Sequence, residues 1–344
     1  MPYFLITIDT EGDNIWASPR NIETSNARFL PRFQTLCEKY GFKPTYLTNY
    51  EMARDPYFIE FAADVIKRGA GEVGMHLHAW NTPPLTPLTA DDYACRPYLI
   101  EYPESIMRAK VAHMTELLET TFNIKIISHR AGRWSMDARY ARILLEYGYR
   151  IDCSVTPHVS WHHHKGDPGQ SGGTDFSDYP EEAYFVDLDN LKCQGNSGLL
   201  ELPMTIMNNS LPITNNLREK FRDGTVLRKV MDRLIPPSIS WLRPNGRNVE
   251  ELNDVVRKAV LTGRDYIEFM LHSSEFMPGG SPTFKDENDI EKLYEDLDTL
   301  FGEIKKNFKG RTLREYGEML IRKDYPEKDF GKNVINELLS GSSV

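Results

Sequence analysis

Short apolar runs alternate with longer segments of helical period along most of the chain. Residues 3–9 (YFLITID), 44–49, 72–78, 124–130, 149–154, 198–204 and 265–272 read as strands. Residues 26–40, 52–68, 104–122, 135–147, 248–263 and 286–307 read as helices, the second with Phe58, Phe61 and Val65 at helical spacing. Seven strands, each largely followed by a helix, predict an α/β fold of parallel βα units, closed or nearly closed as a barrel.

Alternation within the strands assigns faces. In the first, Phe4, Ile6 and Ile8 oppose Leu5, Thr7 and Asp9; in the third, Val73, Met75 and Leu77 oppose Gly74, His76 and His78. In the last, Ile267, Phe269 and Leu271 oppose Glu268, Met270 and His272. One face suits an outer layer of helices. The other carries ionisable groups at the C-terminal ends of strands, where barrels gather their active sites. Residues 81–97 and 156–180 read as long loops near strand exits. Residues 207–250 carry no clear strand pattern and read as an insertion within one domain spanning 1–344.

Composition adds little beyond exclusions. Lys plus Arg is 41 against 50 Asp plus Glu, a net charge of −9, with no basic block of nucleic-acid-binding type. The four cysteines are scattered and form no C-x-x-C pair, which favours a reducing compartment. The apolar start lacks a basic region and meets acids where an export signal would be cleaved, and no run is long enough to span a membrane. The expectation is a cytoplasmic protein without a transmembrane segment.

The chemistry concentrates at the strand exits. Asp9, Glu11 and Asp13 crowd the end of the first strand, and His76 and His78, two apart on the third, point the same way. Two imidazoles and a carboxylate are a common donor set for zinc and related divalent ions. The consecutive histidines of WHHHKG (161–166) point in different directions and suit a mobile loop better than a ligand set.

The segments TIDTEGD, EVGMHLHAW, HRAGRWS, YRIDCSVTP and LHSSEF, in this order, resemble the polysaccharide deacetylase (NodB-homology, carbohydrate esterase family 4) superfamily, in its divergent surface-polysaccharide branch. The resemblance spans residues 7–276 and implies a distorted (β/α)7 barrel. It implies Asp9 as catalytic base, Arg130 as the arginine holding that base, Asp152 as an acid orienting the apparatus, and His272 as general acid. It implies one divalent ion, zinc by preference, on His76, His78 and a carboxylate, Glu11 ahead of Asp13. Two departures stand out: the family's two acids are usually adjacent, and its histidines are usually separated by three residues, not one.

Trp80, Arg133, Trp134, Trp161 and Glu275 are candidate substrate contacts, and Glu275 or Asp152 could hold His272 protonated. The implied activity is release of an acetyl or similar acyl group from an amino sugar of a bacterial surface glycan or its precursor. A dinuclear amidohydrolase and a non-catalytic carbohydrate-binding relative are the competing readings. The first expects its H-x-H pair on the first strand, and the second expects loss of the base or the acid.

Overall fold

The structure, a computed structural model, describes residues 1–209 and 239–324. Its main sheet runs through β1 (Tyr3–Thr10), β2 (Pro44–Thr48), β3 (Glu72–Leu77), β4 (Ser128–Ala131), β5 (Ile151–Asp152), β8 (Leu200–Glu201) and β11 (Tyr266–His272). In the order β11-β1-β2-β3-β4-β5-β8 every neighbouring pair is parallel, so the seven expected strands form one curled sheet. Between β8 and β11 no ladder forms among the described residues. The edges are tied instead by Tyr266 Oη donating to the Pro203 carbonyl (2.7 Å) and by the Glu268 N–H donating to Thr205 Oγ1 (2.8 Å). The result is a distorted barrel, as expected.

Helices cover the outside: α1 (Leu30–Tyr40), α2 (Pro56–Lys67), α3 (Glu104–Phe122), α4 (Ala138–Glu146), α5 (Val249–Thr262) and α6 (Glu287–Ile304). Two expected helices are shorter because the sequence caps them late. Asp55, followed by Pro56, accepts the Phe58 N–H and starts α2; Asp137 accepts the Tyr140 N–H and starts α4. Among the elements that were not expected are the hairpin β6 (Tyr184–Asp187) and β7 (Asn190–Gln194), strand β12 (Lys309–Arg311), and helix α7 (Leu313–Asp324). The expected insertion is bounded by a short antiparallel ribbon of β9 (Ile206–Asn208) and β10 (Ile239–Trp241), and residues 210–238 lie outside the described residues.

Two apolar clusters separate the faces. Phe4, Ile6 and Ile8 pack outward with Phe33, Phe42 and Phe301 against the helices. Leu5, Leu47, Ile127, Ile151, Leu202 and Tyr266 fill the barrel interior, sealed from below by Leu313 and Tyr316 of α7. Thr45 Oγ1 accepts the Leu313 N–H and Glu72 accepts the Arg314 N–H, so α7 docks by its own first-turn donors. The interior is therefore apolar at the bottom. Going up β1, Leu5 gives way to Thr7 and then to Asp9, and that gradient positions the site. No helix among the described residues is long and apolar enough to cross a membrane.

Candidate active site

Arg130 is the hub of the polar interior. Fully buried on β4, it donates from Nη1 to Asp9 Oδ1 (2.6 Å), from Nη2 to Thr7 Oγ1 (2.8 Å) and Glu268 Oε1, and from Nε to the Cys153 carbonyl (3.1 Å). The Trp134 ring centre lies 4.7 Å from its guanidinium. Burial alone would raise the Asp9 carboxyl, but the charges of Arg130, His76 and His272 outweigh it and hold Asp9 well below the usual carboxylate range. Asp9 is thus ionised and aimed.

Above it, Glu11, His76 and His78 are all buried and bring one ligand atom each to within 4.8 Å of one another. His78 Nε2 is 3.3 Å and His76 Nε2 3.7 Å from Glu11 Oε2. His76 Nδ1 lies 3.0 Å from the Arg130 carbonyl; donating its hydrogen there orients the ring and turns Nε2 inward. Burial pushes His76 down, yet Asp9 and Glu11 overcome it and raise its proton affinity, whereas burial and the His76 charge push His78 far below its ordinary value. The carboxylates draw positive charge into the pocket. Two imidazoles and a carboxylate with ligand atoms converging in this way fit a divalent cation.

The third wall is His272. Its Nε2 lies 3.8 Å from both Asp9 Oδ2 and Glu11 Oε1, and Trp16 meets its ring edge-on at 4.8 Å between centres. His272 Nδ1 is 3.1 Å from Glu275 Oε2, and Arg243 Nη2 is 3.2 Å from the same carboxylate. Burial would raise Glu275, but Arg243 and His272 bring it down to about 2.

Two expectations need correction, and the choice between Glu11 and Asp13 falls to the preferred Glu11. Asp152 is not at the mouth. Its register partner on β4 is His129, so it follows His129 to the outer face while Arg130 points inward. There His129 Nδ1 lies 2.6 Å from Asp152 Oδ1, and Ser154 Oγ donates to the same oxygen at 2.9 Å. Glu275 is fully buried as the partner of His272 and Arg243, leaving it no face for a sugar. Asp13 is no rival ligand, because its carboxylate accepts the Ser25 and Asn26 N–H groups and caps the turn that follows.

The aromatic candidates divide. Trp80 stacks on His78 (4.3 Å, 19° between planes), and Trp134 supports Arg130, so both brace the site from behind. Trp161 is half-buried in the 156–180 loop, its Nε1 donating to Thr156 Oγ1 at 2.9 Å. Arg133 reaches the rim. Gly132 before it lets β4 close on β3, since a Cβ there would stand 2.3 Å from the Leu77 carbonyl oxygen and 2.6 Å from His78 Cδ2.

Sequence reasoning missed Glu268, Arg243, Trp16 and Glu51. Glu268 was legible, because it shares the inward parity of His272 on β11. Burial, partly countered by Arg130, pushes its carboxyl up to about 7. Burial also raises Glu51 to about 7, and the Asn81 side-chain amide donates to both its oxygens at 2.9 Å. Arg243 comes from the segment without pattern and carried no signal.

Solved structures share this architecture. A protein provisionally described as a polysaccharide deacetylase from Mycobacterium smegmatis superposes with a TM-score of 0.51 at 13% identity, covering 94% of this chain and 92% of that one. One provisionally described as a glycoside hydrolase/deacetylase from Parabacteroides distasonis gives 0.58 at 12% identity, covering 94% and 72%. No family model matches the sequence, and no curated protein matches it. At these identities the likeness is one of fold: the chain has the fold of the polysaccharide deacetylases.

Proposed function

We propose that the chain belongs to the polysaccharide deacetylase superfamily and is a metal-dependent hydrolase. It removes an acetyl or similar acyl group from an amino sugar of a bacterial surface polysaccharide or its precursor. One observation carries the reading: an ionised aspartate locked by a buried arginine, a Glu–His–His ligand set and a third histidine converge within 4 Å contacts at the barrel mouth.

Glu11, His76 and His78 would hold the ion, zinc by preference. A divalent cation there supplies positive charge that polarises an acyl carbonyl and lowers the pKa of water. Asp9 accepts the proton of the attacking water through Oδ2, because Oδ1 is committed to Arg130. His272, its register partner on the neighbouring strand β11, donates to the leaving amine, its ring fixed by Glu275 and Trp16. A purely binding relative would have no use for a free base and a free acid side by side on neighbouring strands. Four free cysteines, two of them buried, accord with a cytoplasmic reaction.

The test is acetate release from a panel of acetamido sugars, free, nucleotide-linked and polymeric, with metal analysis of the same protein. One divalent ion per chain, loss of turnover on chelation and recovery with zinc are expected. Turnover indifferent to the chelator would remove the metal from the reaction, and no acetate from any substrate would favour a binding protein.

A further inference from the structure

Two arginines at the rim form no salt bridge with a carboxylate among the described residues. Arg133 donates from Nη1 to the Arg96 carbonyl and from Nη2 to the Lys165 carbonyl (3.2 Å), and lies 4.1 Å from the Tyr98 ring centre. Arg96 donates from Nη1 to the Ile15 carbonyl at 3.4 Å, and its Nε is buried without a hydrogen-bond partner among the described residues. Neither guanidinium forms a salt bridge among the described residues, whereas Arg20, Arg130 and Arg243 are paired with Asp91, Asp9 and Glu275. Glu101, the acid in this corner, spends its oxygens on the N–H groups of Tyr98 (2.7 Å) and Asp167 (3.0 Å).

Both arginines are tied to the walls of the site. Arg133 follows Gly132, which abuts His78, and Arg96 grips Ile15, the neighbour of the Trp16 that meets His272. Burial and the Arg96 charge both lower the proton affinity of Arg133. A chain with 50 acidic residues and a net charge of −9 leaves these two like charges half-buried together with no salt bridge among the described residues, Glu101 attracting Arg133 only from a distance. Such an arrangement is relieved by an anion brought from outside.

We infer that Arg96 and Arg133 form an anion subsite beside the barrel mouth, and that the acyl-sugar substrate carries a phosphate or carboxylate next to the group that reacts. The substrate half of this inference rests on the deacetylase reading; the subsite itself does not. A phosphate would come from a nucleotide- or lipid-linked sugar, a carboxylate from a uronic acid in a polymer. Either oxyanion matches a guanidinium fork.

Calorimetric titration with inorganic phosphate and with glucuronate tests the subsite without turnover. One of the two is expected to bind wild-type protein, more weakly as ionic strength rises, and about tenfold more weakly after Arg96→Gln. Arg133→Lys keeps the charge but loses the fork, and is expected to weaken binding less. A phosphate response points to a linked precursor, and a glucuronate response to an acidic polymer. In parallel, the ratio of kcat/KM for charged over neutral acetamido substrates is expected to fall about tenfold in Arg96→Gln, mainly through KM. Wild type that binds neither anion, or binding indifferent to both variants, overturns the subsite. Anion binding through these arginines without acetate release overturns the deacetylase reading and leaves the subsite standing.

Discussion

Asp9 and Asp152 are both buried, both held below the usual carboxylate range, and both paired with residues that are neighbours on β4. Their surroundings differ in one respect. Asp152 is saturated: it takes His129 and Ser154, while Glu201 beside it is pushed well above its usual value by burial and by the Asp152 charge. Asp9 keeps one oxygen uncommitted, with Nε2 of His76 and of His272 each 3.8 Å away, beyond hydrogen-bond reach. Burial and ion pairing alone therefore do not mark a site. What marks it is a charged atom that the fold holds still and leaves unsatisfied.

The largest effect expected from this contrast is on stability. Asp152→Ala removes the carboxylate that takes the hydrogen bonds of His129 and Ser154 in the outer layer, and should cost roughly 3–5 kcal/mol for the two together, read by denaturant unfolding. The folded fraction should release acetate at the wild-type kcat. A variant that folds normally but has lost turnover would return Asp152 to the reacting groups and break the comparison.

A smaller effect sharpens it on the Asp9 side. Glu268 shares Arg130 with Asp9, and its carboxyl is raised from 4.5 to about 7. Because the folded state favours the protonated form, its contribution to stability is present below the unfolded pKa and is lost as pH rises through the folded one. Gln at this position does not titrate. The stability advantage of wild type over Glu268→Gln should therefore shrink between pH 5 and 8, by up to about 3 kcal/mol. An advantage that grows over that window would mean Arg130 holds Glu268 ionised.

Period two made much of this legible in sequence. In β1, β3 and β11 the alternation runs long enough to assign faces, and it put Asp9, His76, His78 and His272 together with no structure in hand. It failed at β5, which pairs over two residues only, so the face of Asp152 is set by its partner His129 rather than by a pattern of its own. The hairpin β6–β7 escaped because most of β7 is exposed and carries no apolar period. Arg243 escaped for a different reason. It reaches His272 from a segment with no strand or helix signal, and only tertiary packing gives it a role.

The most direct test is Asp9→Asn, assayed for bound metal and for acetate release on the same sample. Asn can still accept the Arg130 bond through its carbonyl oxygen but cannot take a proton from water. Metal content should stay at the wild-type level while turnover falls by roughly 10²–10⁴-fold. Turnover near wild type with metal intact would contradict Asp9 as the base, and with it the reading of this mouth as a deacetylase site.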